Sequence, residues 1–381
     1  MKFLVLGAGM MGSAIALDLV RSAGVARVTL ADAEGDRARQ AAKQIGSSLV
    51  EPLPLDIEYY DDLLEVLSGH DCAIGAVSYR YNRNLTKACL EAGVHFCDLG
   101  GNDEVVSNQR ELDSKARDRN ITVIPNCGLA PGLANVLAAR GSELFDSVES
   151  IRIRVGGLPQ NPKPPLNYQL VFSPEGLVNE YSGRAVVLRN SKKETVETLT
   201  GVEEIEFPEP YGRLEAFHTS GGASLLPEMF EGKVRELDYK TIRYPGHCNR
   251  FKALLDLGFA STEPLTIGSN VMTAREMFLE LLKRKLGGDD PDVVLLRTVI
   301  RGVREGRPGE LRYELIDFFD KNDNITAMMR TTAFPTSVIA QMLVQGTIQK
   351  RGVLTPELCV PLQPLLDQLR ARDMKITERW I

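Results

Sequence analysis

The chain has 381 residues, 43% apolar and 25% charged, a balance that excludes disorder as the dominant state and leaves room for two domains at roughly 150 residues each. A net charge of −6 with no Lys/Arg run longer than three argues against a nucleic-acid or membrane partner. Six cysteines without a CxxC pair and four histidines without HExxH suggest reduced thiols and no metal; with no spanning apolar window and a strand starting directly after Met1, a cytoplasmic location is expected.

Residues 2–6 form an apolar run of strand length, followed by Gly7-Ala8-Gly9-Met10-Met11-Gly12 and a helical pattern over 13–22. A second strand over 25–31 closes on Asp32, and 34–45 is a charged, alanine-rich helix. Residues 49–55 read as an edge strand because Pro52 and Pro54 cannot donate to a ladder. Then come a helix (61–67), a buried strand (72–77), a helix (84–92), a strand (95–98), a helix (107–117) and a strand (122–124). This alternation predicts an α/β fold with a Rossmann-type doubly wound parallel sheet.

After Pro125 the rhythm changes. Residues 148–155, 168–172, 185–189, 234–244, 293–301 and 311–319 read as strands without regular crossover helices. They predict a second, α+β domain built on a mostly antiparallel sheet. Its clearest helix is 272–286, with Met277, Leu281 and Leu282 assigned to the apolar face. The tail returns to helices at 336–345, where Pro335 marks the start, and at 362–372. The expected division is 1–125 with 333–381 as a dinucleotide-binding domain, and 126–332 as a substrate-binding and dimerisation domain.

GxGxxG alone is weak, but here it follows a strand, opens a helix and precedes an acidic strand end twenty positions after Gly12. Gly7 permits the tight turn, Gly9 lets a pyrophosphate approach, and Gly12 lets helix pack on strand, with Met10 and Met11 in the first helical turn. The helix N-terminus suits phosphate. Asp32 would accept from both ribose hydroxyls and repel a 2′-phosphate, so NAD is expected over NADP. Arg37 and Arg39 read as a solvated helix face. Asp56, past the third strand, is a candidate for the adenine amine or an ordinary turn residue. Val77 and Ser78, ending the fourth strand, are candidates for the nicotinamide side.

On the substrate side, Asp98-Leu99-Gly100-Gly101 ends the fifth strand, where Asp98 could orient an amine, act as a base or merely cap a loop. Residues 126–132 steer the chain between domains, and Cys127 reads as packing. His218-Thr219-Ser220-Gly221-Gly222 has the composition of an anion nest. The strand 238–244 places Lys240 and Tyr244 on one face and Arg243 on the other. Either cation could hold a carboxylate, Arg with two parallel bonds. His247, after Pro245-Gly246, could be a base, a carboxylate donor or a loop residue; His70 and His95 read as structural.

These blocks resemble the saccharopine dehydrogenase family, and within it the lysine 6-dehydrogenases, over essentially the whole chain. The similarity rests on Gly7–Gly12, 98–101, 128–132, 167–190, 217–222 and above all 239–247. It implies NAD-dependent oxidation of L-lysine at its ε-carbon, giving an aldehyde that cyclises, with ammonia and NADH. His247 or Asp98 would be the base, Arg243 or Lys240 the carboxylate holder, and Tyr244 and Gly100 further contacts. An acidic residue is expected where Asn126 stands, so its role does not carry over. A homo-oligomer is expected. The alternatives are a saccharopine or carboxynorspermidine dehydrogenase acting on a secondary amine, and a non-catalytic NAD-binding sensor or scaffold.

Overall fold

The structure, a computed structural model, describes residues 1–381. It divides into two compact units, Met1–Gly141 with Met329–Lys375, and Ser142–Met328 with Ile376–Ile381. The first unit therefore continues past the expected boundary at 125 and takes in the helix Leu133–Ser142 almost to its end. The last six residues belong to the second unit rather than the first.

The first unit is built on β1 (Lys2–Leu6), β2 (Arg27–Asp32), β3 (Val50–Pro54), β4 (Cys72–Gly75), β5 (His95–Asp98) and β6 (Thr122–Ile124). With the short strand Gly352–Val353 they make one parallel sheet, ordered 3-2-1-4-5-6 with the late strand added beside β6. Order reverses between β1 and β4, the switch point beyond whose strand ends ligands bind in such sheets. Every residue from Phe3 to Leu6 and from Cys72 to Ile74 is fully buried, as strands covered on both faces require. β3, with its two prolines, lies on the sheet edge.

The helix expected over 107–117 is two helices, Asp103–Arg110 and Asp113–Asp118. The first begins early because the Asn102 side chain accepts from Val105 N at 2.9 Å, an N-cap within a polar stretch that periodicity passes over. Pro335 does not begin a helix either; it lies inside Ala327–Val344. That helix tolerates it because its flanks are buried and tied down. Thr336 Oγ1 donates to Cys127 O at 2.9 Å, and Ser337 Oγ donates to Asp18 Oδ2 at 2.6 Å. Arg372 Nε meets the other Asp18 oxygen at 2.6 Å, so the C-terminal helices are locked onto the first helix, Met10–Val20.

The second unit contains β7 (Ser147–Pro159), β8 (Arg184–Arg189), β9 (Lys192–Glu197), β10 (Glu203–Phe207), β11 (Gly212–His218), β12 (Glu236–Arg243), β13 (Pro264–Ile267), β14 (Asn270–Thr273), β15 (Asp292–Arg304) and β16 (Arg307–Phe318). Its nine-stranded sheet runs β10-β11-β12-β7-β15-β16 and ends on Thr377–Trp380, with β8 paired to β12 and β9 to β8. Only β12 and β7 are parallel, so the sheet is mostly antiparallel. β12 is central and buried on both faces.

Residues 168–172 are not a strand; they lead irregularly into the helix Pro174–Tyr181. Ser173 caps that helix by accepting from Gly176 N at 3.1 Å, and Pro174 occupies its first turn. In the helix Ala274–Leu286, the inward face is Phe278, Leu282 and Leu286. Met277 and Leu281 are 37% and 42% exposed, so only Leu282 of the expected trio faces the core. The i, i+4, i+8 spacing of the larger aromatic and its two leucines governs the packing.

Candidate functional site

The cradle at the end of β1 has the steric form its glycines require. Gly7 takes φ +102°, and a Cβ there would stand 2.6 Å from Ala76 O. A Cβ on Gly12 would stand 1.8 Å from Gly7 O, whereas a Cβ on Gly9 would meet nothing within 4 Å. Two glycines are thus demanded by packing, and the third faces open space at the N-cap of the first helix. That helix start has no side-chain cap, and Met10 beside it is 47% exposed; Met11 is partly buried. Free N–H groups facing open space are what a pyrophosphate needs.

Asp32 is buried at the end of β2, with Oδ2 accepting from Ala8 N at 2.8 Å and Oδ1 from Glu34 N at 2.9 Å. These bonds fix the carboxylate beside the cradle. Arg37 Nη1 stands 3.6 Å from it while Nη2 pairs with Glu34 at 2.6 Å, so this guanidinium is engaged by two acids. Val77 lies against the turn, its Cγ1 3.1 Å from the Cβ position of Gly7. Ser78 precedes the turn Tyr79–Tyr81, whose Tyr81 N donates to Ser78 O at 3.1 Å. Asp56 accepts from Glu58 N at 3.0 Å, an Asx turn leading into the helix Tyr60–Leu67.

Asp98 has no exposed surface. Its Oδ1 accepts from Gly100 N at 2.8 Å and its Oδ2 from Gln109 Nε2 at 2.7 Å, while its carbonyl accepts from Cys127 N at 2.8 Å. Burial pushes its pKa up to about 6 against those bonds. Asp98 is a brace between two loops, not the accessible base expected of it. Gly100, at φ +72°, packs so tightly on Asn126 that a Cβ would stand 1.8 Å from its Oδ1. Cys127 is buried and donates to Ile124 O, as packing implied.

In the second unit the expected substrate residues separate. Lys240 Nζ pairs with Glu203 Oε2 at 2.8 Å, and Arg154 binds Glu203 and both oxygens of Asp238, at 2.8 and 3.0 Å. Lys240, only 6% exposed, is therefore neutralised inside an ion-pair network and is not available to a substrate carboxylate. Tyr244 donates to Pro159 O at 2.9 Å and packs with Ile242 on the same side of β12. It is half-buried against the core, with its hydroxyl already engaged.

The other face of β12 carries Arg243. Its Nε donates to Tyr181 Oη at 2.8 Å and its Nη1 to Ile242 O at 2.8 Å, and its guanidinium lies 4.6 Å over the Tyr168 ring. Tyr181 Oη stands 3.1 Å from His247 Nε2, and His247 Nδ1 stands 3.0 Å from Leu166 O. Since a carbonyl only accepts, Nδ1 carries the proton, Nε2 accepts from Tyr181, and Tyr181 accepts from Arg243. His247 is fully buried as the first residue of the helix His247–Asp256. Burial, reinforced by Arg243, drives its pKa down to about 3. A neutral imidazole with both nitrogens engaged is neither a base nor a carboxylate donor, which corrects that expectation. No carboxylate forms an ion pair with Arg243, although it is 2% exposed. Tyr168 and Tyr181 complete the cluster; Tyr168 lies in the stretch expected as a strand, Tyr181 in a helix not expected from the sequence, and nothing in their spacing marks them.

No group of three or more His, Cys, Asp or Glu side chains could hold a metal ion, and no helix is long and apolar enough to cross a membrane. The first unit is thus a Rossmann-type nucleotide fold, and the second an α+β unit with a buried cation that forms no ion pair. Residues 3–124 match the family model described as the saccharopine dehydrogenase NADP binding domain, and 128–374 the one described as the saccharopine dehydrogenase C-terminal domain. The chain belongs to the saccharopine dehydrogenase family.

Alpha-aminoadipic semialdehyde synthase of Mus musculus is 24% identical over 98% of this chain, which spans only 47% of that protein. The chain thus covers about half the length of the first curated relatives it matches. Carboxyaminopropylagmatine dehydrogenase of Synechocystis is 22% identical over 97% of this chain and 95% of its own. Among solved structures, saccharopine dehydrogenase (L-Glu forming) of Saccharomyces cerevisiae superposes with a TM-score of 0.81 at 18% identity, covering 100% and 99% of the two chains. The homospermidine synthase of Legionella pneumophila, in complex with NAD, gives 0.67 at 14% identity, covering 100% and 91%. At these identities the two structures speak to fold alone.

Proposed function

We propose that this chain is an NAD-dependent dehydrogenase of an amino-acid amine, and that its substrate is L-lysine, oxidised at the ε-carbon. The observation that carries the reading is Arg243. A guanidinium cannot shed its proton, and burying it without a paired carboxylate costs several kcal/mol. Its bonds to Tyr181 and Ile242 satisfy two donors but supply no negative charge. A substrate carboxylate would supply it.

When bound, the nicotinamide supplies the hydride acceptor, and the oxidised carbon–nitrogen bond is then hydrolysed to the aldehyde and ammonia. Gly9 and the first turn of the helix would hold the pyrophosphate, and Asp32 the adenosine ribose. Asp32 supports NAD over NADP: its fixed carboxylate at the end of β2 would repel a 2′-phosphate, and Arg37 is already engaged with acids. Neither His247 nor Asp98 can remove the ammonium proton, so the neutral ε-amine, with a pKa near 10.4, is drawn from solution and activity should rise toward alkaline pH.

The full-length similarity to carboxyaminopropylagmatine dehydrogenase favours, as a second reading, a secondary amine in the same site. The test is NADH formation from lysine, ornithine, saccharopine and carboxynorspermidine, with NAD and with NADP. Lysine with NAD should turn over fastest, and Arg243→Lys, which keeps a charge but loses the fork, should raise KM for lysine by about 10²-fold with NAD affinity unchanged. Preferential turnover of saccharopine would install the second reading. No turnover of any amine would point to a sensor or scaffold.

A further inference from the structure

Arg243 is held by a chain of hydrogen bonds that begins at a main-chain carbonyl. Leu166 O can only accept, so the imidazole proton sits on His247 Nδ1, 3.0 Å away, and Nε2 is left as an acceptor. Tyr181 Oη, 3.1 Å from Nε2, spends its single proton there. Towards Arg243 Nε, 2.8 Å away, the Tyr181 oxygen can then only accept. The tyrosine is also fixed independently of its hydroxyl. Its carbonyl accepts from Thr198 Oγ1 at 2.7 Å, and its ring meets Phe251 and Phe217 edge-on at 4.7 and 5.7 Å.

A guanidinium has five N–H donors, and a carboxylate can grip it by either of two edges, Nε with Nη2 or Nη1 with Nη2. In Arg243 the first edge is closed, because Nε is bound to Tyr181. Nη1 gives one proton to Ile242 O at 2.8 Å and keeps the other. Nη2 bonds to no protein group and, unlike the Tyr168 hydroxyl, is not sealed from solvent. The Tyr168 ring covers one face of the guanidinium, 4.6 Å away. With that face and the Nε edge taken, the Nη1–Nη2 end is what remains for an anion.

We propose that Tyr181 is a positioning residue: with its proton committed to His247, it holds Arg243 by Nε and so presents the Nη1–Nη2 end to the carboxylate of the ligand. This rests on the reading above that a substrate carboxylate meets Arg243. Tyr181 itself touches no ligand atom. It acts by ordering a long, flexible side chain before the ligand arrives, which removes that cost from binding. It should therefore set how strongly the site prefers a carboxylate over a neutral group of the same shape.

The test uses the full-length protein, saturated with NADH so that no turnover occurs, titrated calorimetrically with L-norleucine and with L-norleucinamide. The two share an alkyl chain and an α-amine, differ in the carboxylate, and lack the ε-amine. The wild-type protein should bind norleucine about 30-fold more tightly, the worth of one charge-assisted hydrogen bond. Tyr181→Phe keeps the ring and its aromatic contacts, so it should fold. It should reduce the ratio to about 3-fold or less by weakening norleucine while leaving the amide unchanged. Arg243→Lys removes the Nε that Tyr181 holds and both edges with it. On that background Tyr181→Phe should change the ratio by less than about twofold. A preference that survives Tyr181→Phe overturns the proposal, as does equal weakening of both ligands, or the same loss with and without Arg243→Lys. No preference in the wild type removes the carboxylate role of Arg243 and the proposal with it. If lysine yields no NADH but the norleucine preference exists and depends on Tyr181, the lysine assignment fails and the positioning role stands.

Discussion

His247→Gln offers a direct test of whether the imidazole is a buried structural acceptor or an accessible base. The folded protein holds His247 neutral down to about pH 3, through burial first and the nearby Arg243 charge second, against an ordinary value of 6.5. As pH falls through 6.5 the unfolded chain binds a proton that the folded chain refuses, so stability contributed by the neutral imidazole is present above 6.5 and lost on acidification toward 3. At about 1.4 kcal/mol per unit, the cost between pH 6.5 and pH 5 is about 2 kcal/mol. Glutamine keeps an acceptor for Tyr181 but has no proton to refuse. Near pH 7.5 the variant should be less stable by about 1–3 kcal/mol, since the bond to Leu166 O is lost or strained. By pH 5 that deficit should shrink by about 2 kcal/mol. Urea unfolding of both proteins at pH 7.5, 6 and 5 measures the two curves. Curves that run parallel would mean that His247 titrates as an exposed residue does, and the burial argument would be wrong. In turnover, the variant should keep the shape of the kcat–pH profile.

The cradle glycines differ in what they resist. Gly12→Ala pushes a Cβ to 1.8 Å from Gly7 O, so both Tm and NAD affinity should drop. Gly9→Ala meets no protein atom within 4 Å, so Tm should hold while NAD affinity falls by about tenfold or more; unchanged affinity would show that no pyrophosphate sits there. For Asp32, NAD should bind about tenfold more tightly than NADP, or about 1.4 kcal/mol, with Asp32→Ala narrowing the gap. Equal affinities in the unmodified protein, measured by fluorescence titration, would remove the ribose role.

The nucleotide half was legible because its determinants are local. Gly7, Gly9, Gly12 and Asp32 act through turns and helix ends within about thirty residues, and the alternation of strand and helix leaves little choice of topology. The substrate half resisted because its residues differ by partners that are distant in the chain. Lys240 and Arg243 stand three positions apart on one strand, both cationic and both buried. Alternation correctly put them on opposite faces but could not say which face already held acids. Glu203, 37 residues upstream, neutralises Lys240, whereas the partners of Arg243 are a tyrosine hydroxyl and a carbonyl. In the same way His247 follows a Pro-Gly turn that suggests exposure, yet Leu166 and Tyr181, 81 and 66 residues earlier, engage its two nitrogens in the interior. Residue type nominated all three side chains for chemistry, and the balance of charge around each separates them. A buried cation with its anion present is part of the fold. A buried cation whose donors meet only neutral groups still has a place for an anion, and that difference singles out Arg243 as the side chain fitted to a ligand.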